Sequence, residues 1–219
     1  DKDLAAAIGR PVRVANDANC FALSEAQDGA GADANIVFGV IAGTGVGGGV
    51  CVQGRLWDGA HGIAGEWGHN PLPWPSTEEI ESAPPCYCGK RGCIETWISG
   101  PGLAQDFKSR TGRALNAAQI AAADDADAKT AMERFFDRFA RAIASVVNIL
   151  DPEVIVLGGG LSNIDALVGE LPRRVGTYAF TPESPVRIVR NLHGDSSGVR
   201  GAAWLWGTDE ALASHALRR

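Results

Sequence analysis

Three of the chain's five cysteines fall within eight positions, Cys86-x-Cys88-x4-Cys93, with Gly89 and Gly92 between them. An odd number of cysteines disfavours a fully paired disulfide framework, and thiols clustered this closely point to a metal site. The two glycines let the backbone fold around an ion. A further donor stands upstream in Glu66-Trp67-Gly68-His69, where one backbone turn brings Glu66 and His69 to the same ligand and a ring nitrogen of His69 can bind metal. Three thiolates plus His69 make a closed four-coordinate set of the kind that suits structural zinc. The alternative is three buried free cysteines and a surface Glu–His pair. Residues from about 60 to 100 carry Pro, Gly, Trp and Cys with little periodicity, which predicts an irregular segment held by the metal. Cys20 and Cys51 read as core residues, and the tryptophans as core more than as ligand platforms.

The rest of the chain alternates strand and helix patterns. Leu4 to Ile8 predicts a short amphipathic helix ending at Gly9, and Val12-Arg13-Val14 a strand that stops at Asn16-Asp17. Ala18 to Gln27 reads as helix. Asn35 to Ala42, the glycine-rich turn Gly43 to Gly49 and Val50 to Leu56 predict a β-hairpin with a backbone-only turn. Past Pro101 the chain turns helical, with a loosely specified stretch around Ala117 to Ala128. From Ala128 to Leu150 the residues Met132, Phe135, Phe136, Phe139, Ile143, Val146, Val147 and Leu150 recur at helical spacing, so one face must be buried. Val154 to Leu157 reads as a buried strand, followed by Gly158-Gly159-Gly160 and a helix from about Ile164. Val186 to Val189 is the next strand, and Gly198 to Trp206 opens a last helix. The alternation implies an α/β layer structure with ligands at the carboxyl ends of the strands.

Charge narrows the function. With 20 Lys and Arg against 26 Asp and Glu the net charge is −6, without a basic run that would mark a nucleic-acid or anionic-membrane surface. The longest uncharged apolar stretch, Ile36 to Val52, is broken by glycines and falls short of the ~20 residues needed to span a bilayer. Asp1-Lys2-Asp3 does not lead into an apolar signal region, so the expected location is the cytoplasm. The 28 glycines in 219 positions are nearly twice the usual share of ~7%, and they mark sites because they cluster.

Asn16-Asp17 is a separate candidate site. A carboxylate at a helix start can take a proton from a substrate hydroxyl while the neighbouring amide orients it; the same pair also suits a plain helix N-cap. The glycine turns Gly43 to Gly49 and Gly158 to Gly160 can bring backbone N–H groups close to phosphate oxygens, with Thr44 adding a hydroxyl, or they serve only as tight connections. Neither has the Lys-Ser/Thr ending of a P-loop. His193-Gly-Asp-Ser-Ser-Gly-Val-Arg-Gly201 either caps the last helix or sits near a nucleotide.

In this order the pieces resemble the ROK family of sugar kinases and repressors, of the actin-like ATPase superfamily, with Cys86 to Glu95 as the most specific mark. Glu66 to Trp74 and His193 to Trp206 are similar to its bacterial fructokinase/mannokinase branch. The resemblance implies an α/β actin-like (ribonuclease H-like) lobe with a zinc-bound irregular insertion. Residues 1–25 would be the end of an N-terminal lobe and hinge, 26–200 the C-terminal lobe with the zinc segment 66–100, and 201–219 a C-terminal helix. The family's N-terminal phosphate loop would lie upstream of this sequence. The resemblance further implies ATP-dependent phosphorylation of a hexose, D-fructose first, with Asp17 as catalytic base. Asn16, Glu66, His69 and Glu95 would bind sugar, Gly43, Thr44 and Gly45 phosphates, and Gly158 and Gly159 the adenosine. Zn²⁺ would sit on His69, Cys86, Cys88 and Cys93, Mg²⁺ would accompany ATP, and the family often forms homodimers, which leaves the assembly state open. A sugar-sensing repressor domain without catalysis is the alternative the family offers, and a zinc-stabilised interaction module is a third.

Overall fold

The computed structural model describes residues 1–181 and 186–207. Helix α1 (Lys2–Ile8) ends at Gly9, whose φ of 64° is left-handed, yet it buries no residue; Leu4 and Ile8 are exposed. The strand expected at Val12 to Val14 is absent. Its β-branched residues favour extended backbone, but no described strand pairs with them and Val14 is 72% exposed, so no burial rewards pairing. Helix α2 (Asp17–Asp28) begins directly after Asn16, whose Oδ1 accepts a hydrogen bond from the Asn19 N–H at 2.7 Å.

Strands β1 (Ile36–Ala42) and β2 (Val46–Val52) form the expected hairpin, Ala42 opposite Val46, so the turn is Gly43-Thr44-Gly45. Strand β3 (Arg55–Leu56) extends it. Between about 57 and 99 the chain is more ordered than its composition predicts: one 3₁₀ turn at Trp67–His69, then α3 (Thr77–Glu81) and α4 (Ile94–Ile98). A capping box accounts for α3, since Ser76 and Glu79 each bond the other's backbone N–H. Helices α5 (Gly100–Thr111), α6 (Ala117–Ala122) and α7 (Ala126–Leu150) follow, then β4 (Val154–Gly158), α8 (Asp165–Gly176), β5 (Arg187–Arg190) and α9 (Ser197–Trp204). Residues 208–219 of the expected C-terminal helix lie outside the described residues.

The sheet order is β3-β2-β1-β4-β5, with β1, β4 and β5 parallel and β2 and β3 antiparallel to their neighbours. Side-chain alternation builds two cores. Phe38, Val40, Ile155 and Leu157 face α7, where Phe135, Phe139 and Ile143 are fully buried. Val37, Val154 and Val156 face Phe21, Ala22 and Ala26 of α2. Each fully buried phenylalanine contributes roughly 1.5–3 kcal/mol. The glycines of β2 have a packing reason: a Cβ on Gly49 would stand 2.7 Å from the Ala18 carbonyl oxygen, so α2 reaches the sheet only because that side chain is missing.

Helix α7 also buries two arginines. Arg138 Nε donates to Glu79 Oε1 at 2.7 Å, and Arg141 donates to both Glu79 oxygens at 2.8 and 3.0 Å. Arg138 also reaches Asp106 at 3.1 Å, and Arg141 the carbonyls of Pro73 and Trp74. An ion pair therefore clamps α3, and with it the segment leading to the cysteines, onto the long helix. Burial alone would raise the Glu79 pKa, but the bonds from Arg141 and Arg138 outweigh it and hold it at about 2.

Candidate functional site

β1 and β4 are parallel neighbours with Ile41 opposite Gly158, so both glycine turns leave the sheet at the same carboxyl edge. Among the described residues the Gly43 N–H is taken by Gly45 O, and the N–H groups of Thr44 and Gly45 meet no protein acceptor. Thr44 is exposed and borders two grooves. One, of about 950 Å³, is walled by Gly43, Pro101, Ala117, Ala121 and Gly160. The other, of about 830 Å³, is walled by Tyr87, Arg91, Glu95, Trp97 and Pro101. Gly158 and Gly159 do not line the first groove. Gly158 lies against the Phe21 ring and Gly159, at φ 78°, against the Ala42 carbonyl, where a Cβ would come within 2.4 Å. Gly160 is the residue of that turn that faces the space.

The start of α2 adjoins this edge. Asp17 is exposed in its first turn, with Oδ1 accepting from the Ala18 N–H at 2.9 Å. Beside it Asn16 turns Nδ2 toward Glu66 Oε1 at 3.4 Å. Glu66 caps the 3₁₀ turn that carries His69, with the His69 N–H on the Glu66 carbonyl at 3.3 Å, so the single turn expected between them is present. Glu95, in the first turn of α4, accepts a hydrogen bond from the Val46 N–H at 2.9 Å, beside the Gly43–Gly45 turn. Asn16, Asp17, Glu66, His69 and Glu95 thus come from three separated segments to one side of the hairpin.

His69, Cys86, Cys88 and Cys93 converge as well. Their donor atoms all lie within 4.8 Å of one another. Cys86 Sγ is 3.5 Å from His69 Nδ1, and Cys88 Sγ is 3.6 Å from Cys93 Sγ. A tetrahedral zinc ion with ordinary bond lengths would set sulfurs roughly 3.8 Å apart and sulfur from nitrogen roughly 3.6 Å, which the Cys86–His69 and Cys88–Cys93 pairs match. Cys88 is exposed, which removes the alternative of three buried core thiols. Cys20 and Cys51 are buried as expected, and burial pushes the Cys51 thiol up to about 12, with the charge of Asp58 adding to it.

Tyr87 was not foreseen at the site. Its hydroxyl lies 2.8 Å from His69 Nε2. Desolvation of the hydroxyl, followed by the negative charge of Glu95, raises its pKa. The available signal was the placement of an aromatic residue between two metal donors, which leaves its ring little choice of position. The motif from His193 to Gly201 turns elsewhere: Ser197 Oγ and the Leu192 N–H donate to the buried Glu25, which pins α9 against α2. Of the tryptophans, Trp67 and Trp97 are buried, whereas Trp57 and Trp74 are exposed. No helix among the described residues is long and apolar enough to cross a membrane.

The mixed α/β lobe thus sets two glycine turns at one sheet edge, with acidic side chains beside them and a Cys₃His cluster nearby. The sequence profile described as ROK family matches residues 1–209. An N-acetyl-D-glucosamine kinase of Vibrio vulnificus (strain YJ016) is 41% identical over 209 residues, covering 93% of this chain and 69% of that protein. The crystal structure of a ROK hexokinase from Thermus thermophilus superposes with a TM-score of 0.83 at 30% identity, over 95% of this chain and 70% of the other. That of a ROK family glucokinase from Streptomyces griseus, in complex with glucose and AMPPNP, gives 0.78 at 26% identity, over 93% and 70%. The chain belongs to the ROK family.

Proposed function

We infer that this chain carries the sugar-binding and proton-accepting part of a kinase that transfers the γ-phosphoryl group of ATP to a hexose hydroxyl. The observation that carries the reading is the Asn16–Glu66 contact with Asp17 beside it, next to a turn whose Thr44 and Gly45 N–H groups are free. Asp17 accepts the proton of the hydroxyl, the oxygen forms its bond to the γ-phosphorus in line, and the bond to the ADP oxygen breaks. Asn16, Glu66, His69 and Glu95 hold the remaining hydroxyls, and the proton stays on the Asp17 carboxylate until product leaves. Thr44 and Gly45 meet phosphate oxygens, while the groove between Pro101, Ala117 and Gly160 offers apolar walls for the adenosine. Mg²⁺ bound with ATP supplies charge neutralisation on the phosphates.

His69 Nδ1, Cys86, Cys88 and Cys93 would hold Zn²⁺, which as a four-coordinate ion supplies a structural anchor and no open position for chemistry. Residues 1–25 then belong to the end of the N-terminal lobe and the hinge, and residues 26–200 to the C-terminal lobe of the kinase. Retention of a carboxylate at Asp17 favours this reading over a sugar-sensing repressor domain. Among hexoses, the likeness of Glu66 to Trp74 to the fructokinase branch favours D-fructose, and the relatives' activity brings in N-acetyl-D-glucosamine. The test is phosphate transfer from Mg-ATP by the full gene product to a panel of both sugars with D-mannose and D-glucose. Turnover of one or more supports the reading; no turnover of any, with a hexose still bound, favours the sensor.

A further inference from the structure

Tyr87 sits between two sulfur donors, and their convergence fixes where its ring goes. Cys86 turns inward and Cys88 stays at the surface, so the residue between them is carried over the face of the cluster, where it is 83% exposed. An exposed tyrosine ordinarily bonds water. Here the phenol folds back onto His69, with the rings perpendicular at 89° and their centroids 5.0 Å apart.

His69 has two ring nitrogens and each has a neighbour. Nδ1 faces Cys86 Sγ at 3.5 Å, on the side of the sulfur cluster, and Nε2 faces Tyr87 Oη at 2.8 Å. With Nδ1 on a metal ion, Nε2 would carry the ring proton and point it at Tyr87 Oη. A sugar hydroxyl that uses His69 needs that same direction, which Tyr87 Oη occupies. Both cannot hold it in the same geometry.

We propose that Tyr87 is a gate on the sugar site: its phenol takes the His69 Nε2 hydrogen bond in the free protein and has to swing away before a hexose hydroxyl can replace it. Room for the swing is present, since the ring is largely in solvent and borders the 830 Å³ groove that also carries Thr44 and Glu95. The closed gate lowers apparent affinity by the fraction of molecules that are open. One ordinary net hydrogen bond corresponds to a factor of roughly three to ten. The competition precedes any contact that distinguishes one hexose from another, so every sugar is affected by the same factor. Turnover of the bound complex is unaffected.

The proposal rests on the reading that His69 holds a sugar hydroxyl, and the experiment separates the two. In the full gene product, Tyr87→Phe keeps the ring packing and removes the competing acceptor. Hexose KM is expected to fall roughly three- to tenfold for every accepted sugar at unchanged kcat, with unchanged metal content. An unchanged KM overturns the gate, and a raised KM overturns it in favour of a direct tyrosine–sugar bond. If Tyr87→Phe loses metal, Tyr87→Leu carries the same expectation and the same two contrary outcomes. Failure of the underlying reading shows differently: Glu66→Gln, which leaves the Tyr87–His69 contact in place, then leaves hexose KM where it was.

Discussion

Glu95 Oε2 accepts a hydrogen bond from the Val46 N–H at 2.9 Å, joining the helix after the last cysteine to the strand after the glycine turn. The carboxylate is half-buried there and leaves no space above Gly45, where a Cβ would stand 2.7 Å from the same oxygen. One side chain thus couples the cysteine segment to the turn proposed to meet phosphate.

Gly45→Ala should break that coupling by pushing the carboxylate off Val46. The lost bond to a charged acceptor costs about 1–3 kcal/mol, read as a lower denaturant midpoint at unchanged slope. Hexose KM should rise alongside it. A variant as stable as the parent would show that Glu95 can find an equal position elsewhere.

Chelation should loosen the segment from about 60 to 100 first. Metal-binding energy at a site of this kind is folding energy, and Cys88 is the exposed donor through which a chelator gains access. Hydrogen exchange after treatment with a chelator should show amides near Cys86 to Ile98 losing protection before those of α7. Freshly purified protein should contain one zinc per chain; protein with no zinc would remove the assignment.

Glu79 makes stability depend on acid. Its pKa is held at about 2 against an ordinary 4.5, so the stability it contributes is present above about pH 4.5 and is lost as pH falls from there toward 2. Glu79→Ala removes the carboxylate that Arg138 and Arg141 share and leaves them Asp106 and Asp137, so the cost falls below the roughly 3–5 kcal/mol of a buried ion left with no counter-charge. Acid titrations of unfolding should show the parent losing stability across that window and the variant losing less. Parallel curves would show that the carboxylate is not the group being titrated.

What could be read from the sequence was local. The face of α7 from Met132 to Ile143 repeats at helical spacing, and the hairpin turn announces itself by glycine, because neighbours along the chain decide both. The Cys₃His donors were legible because three lie within eight positions and the fourth beside a glutamate. Long-range pairings were not. Glu79 meets Arg138 and Arg141 across 59 and 62 residues, and nothing local to either segment marks the pairing. Val12 to Val14 failed for the same reason, since a strand exists only where a distant partner accepts its backbone. The Tyr87 contact is equally invisible along the chain, since the His69 ring it meets lies 18 residues earlier.

The central claim is that Asp17 takes the proton in hexose phosphorylation, and Asp17→Asn in the full gene product tests it most directly. The amide keeps size and helix-start geometry but cannot serve as base. Phosphate transfer from Mg-ATP should fall by at least about 10²-fold, with hexose binding, zinc content and thermal unfolding unchanged. Turnover within a few-fold of the parent would contradict the account.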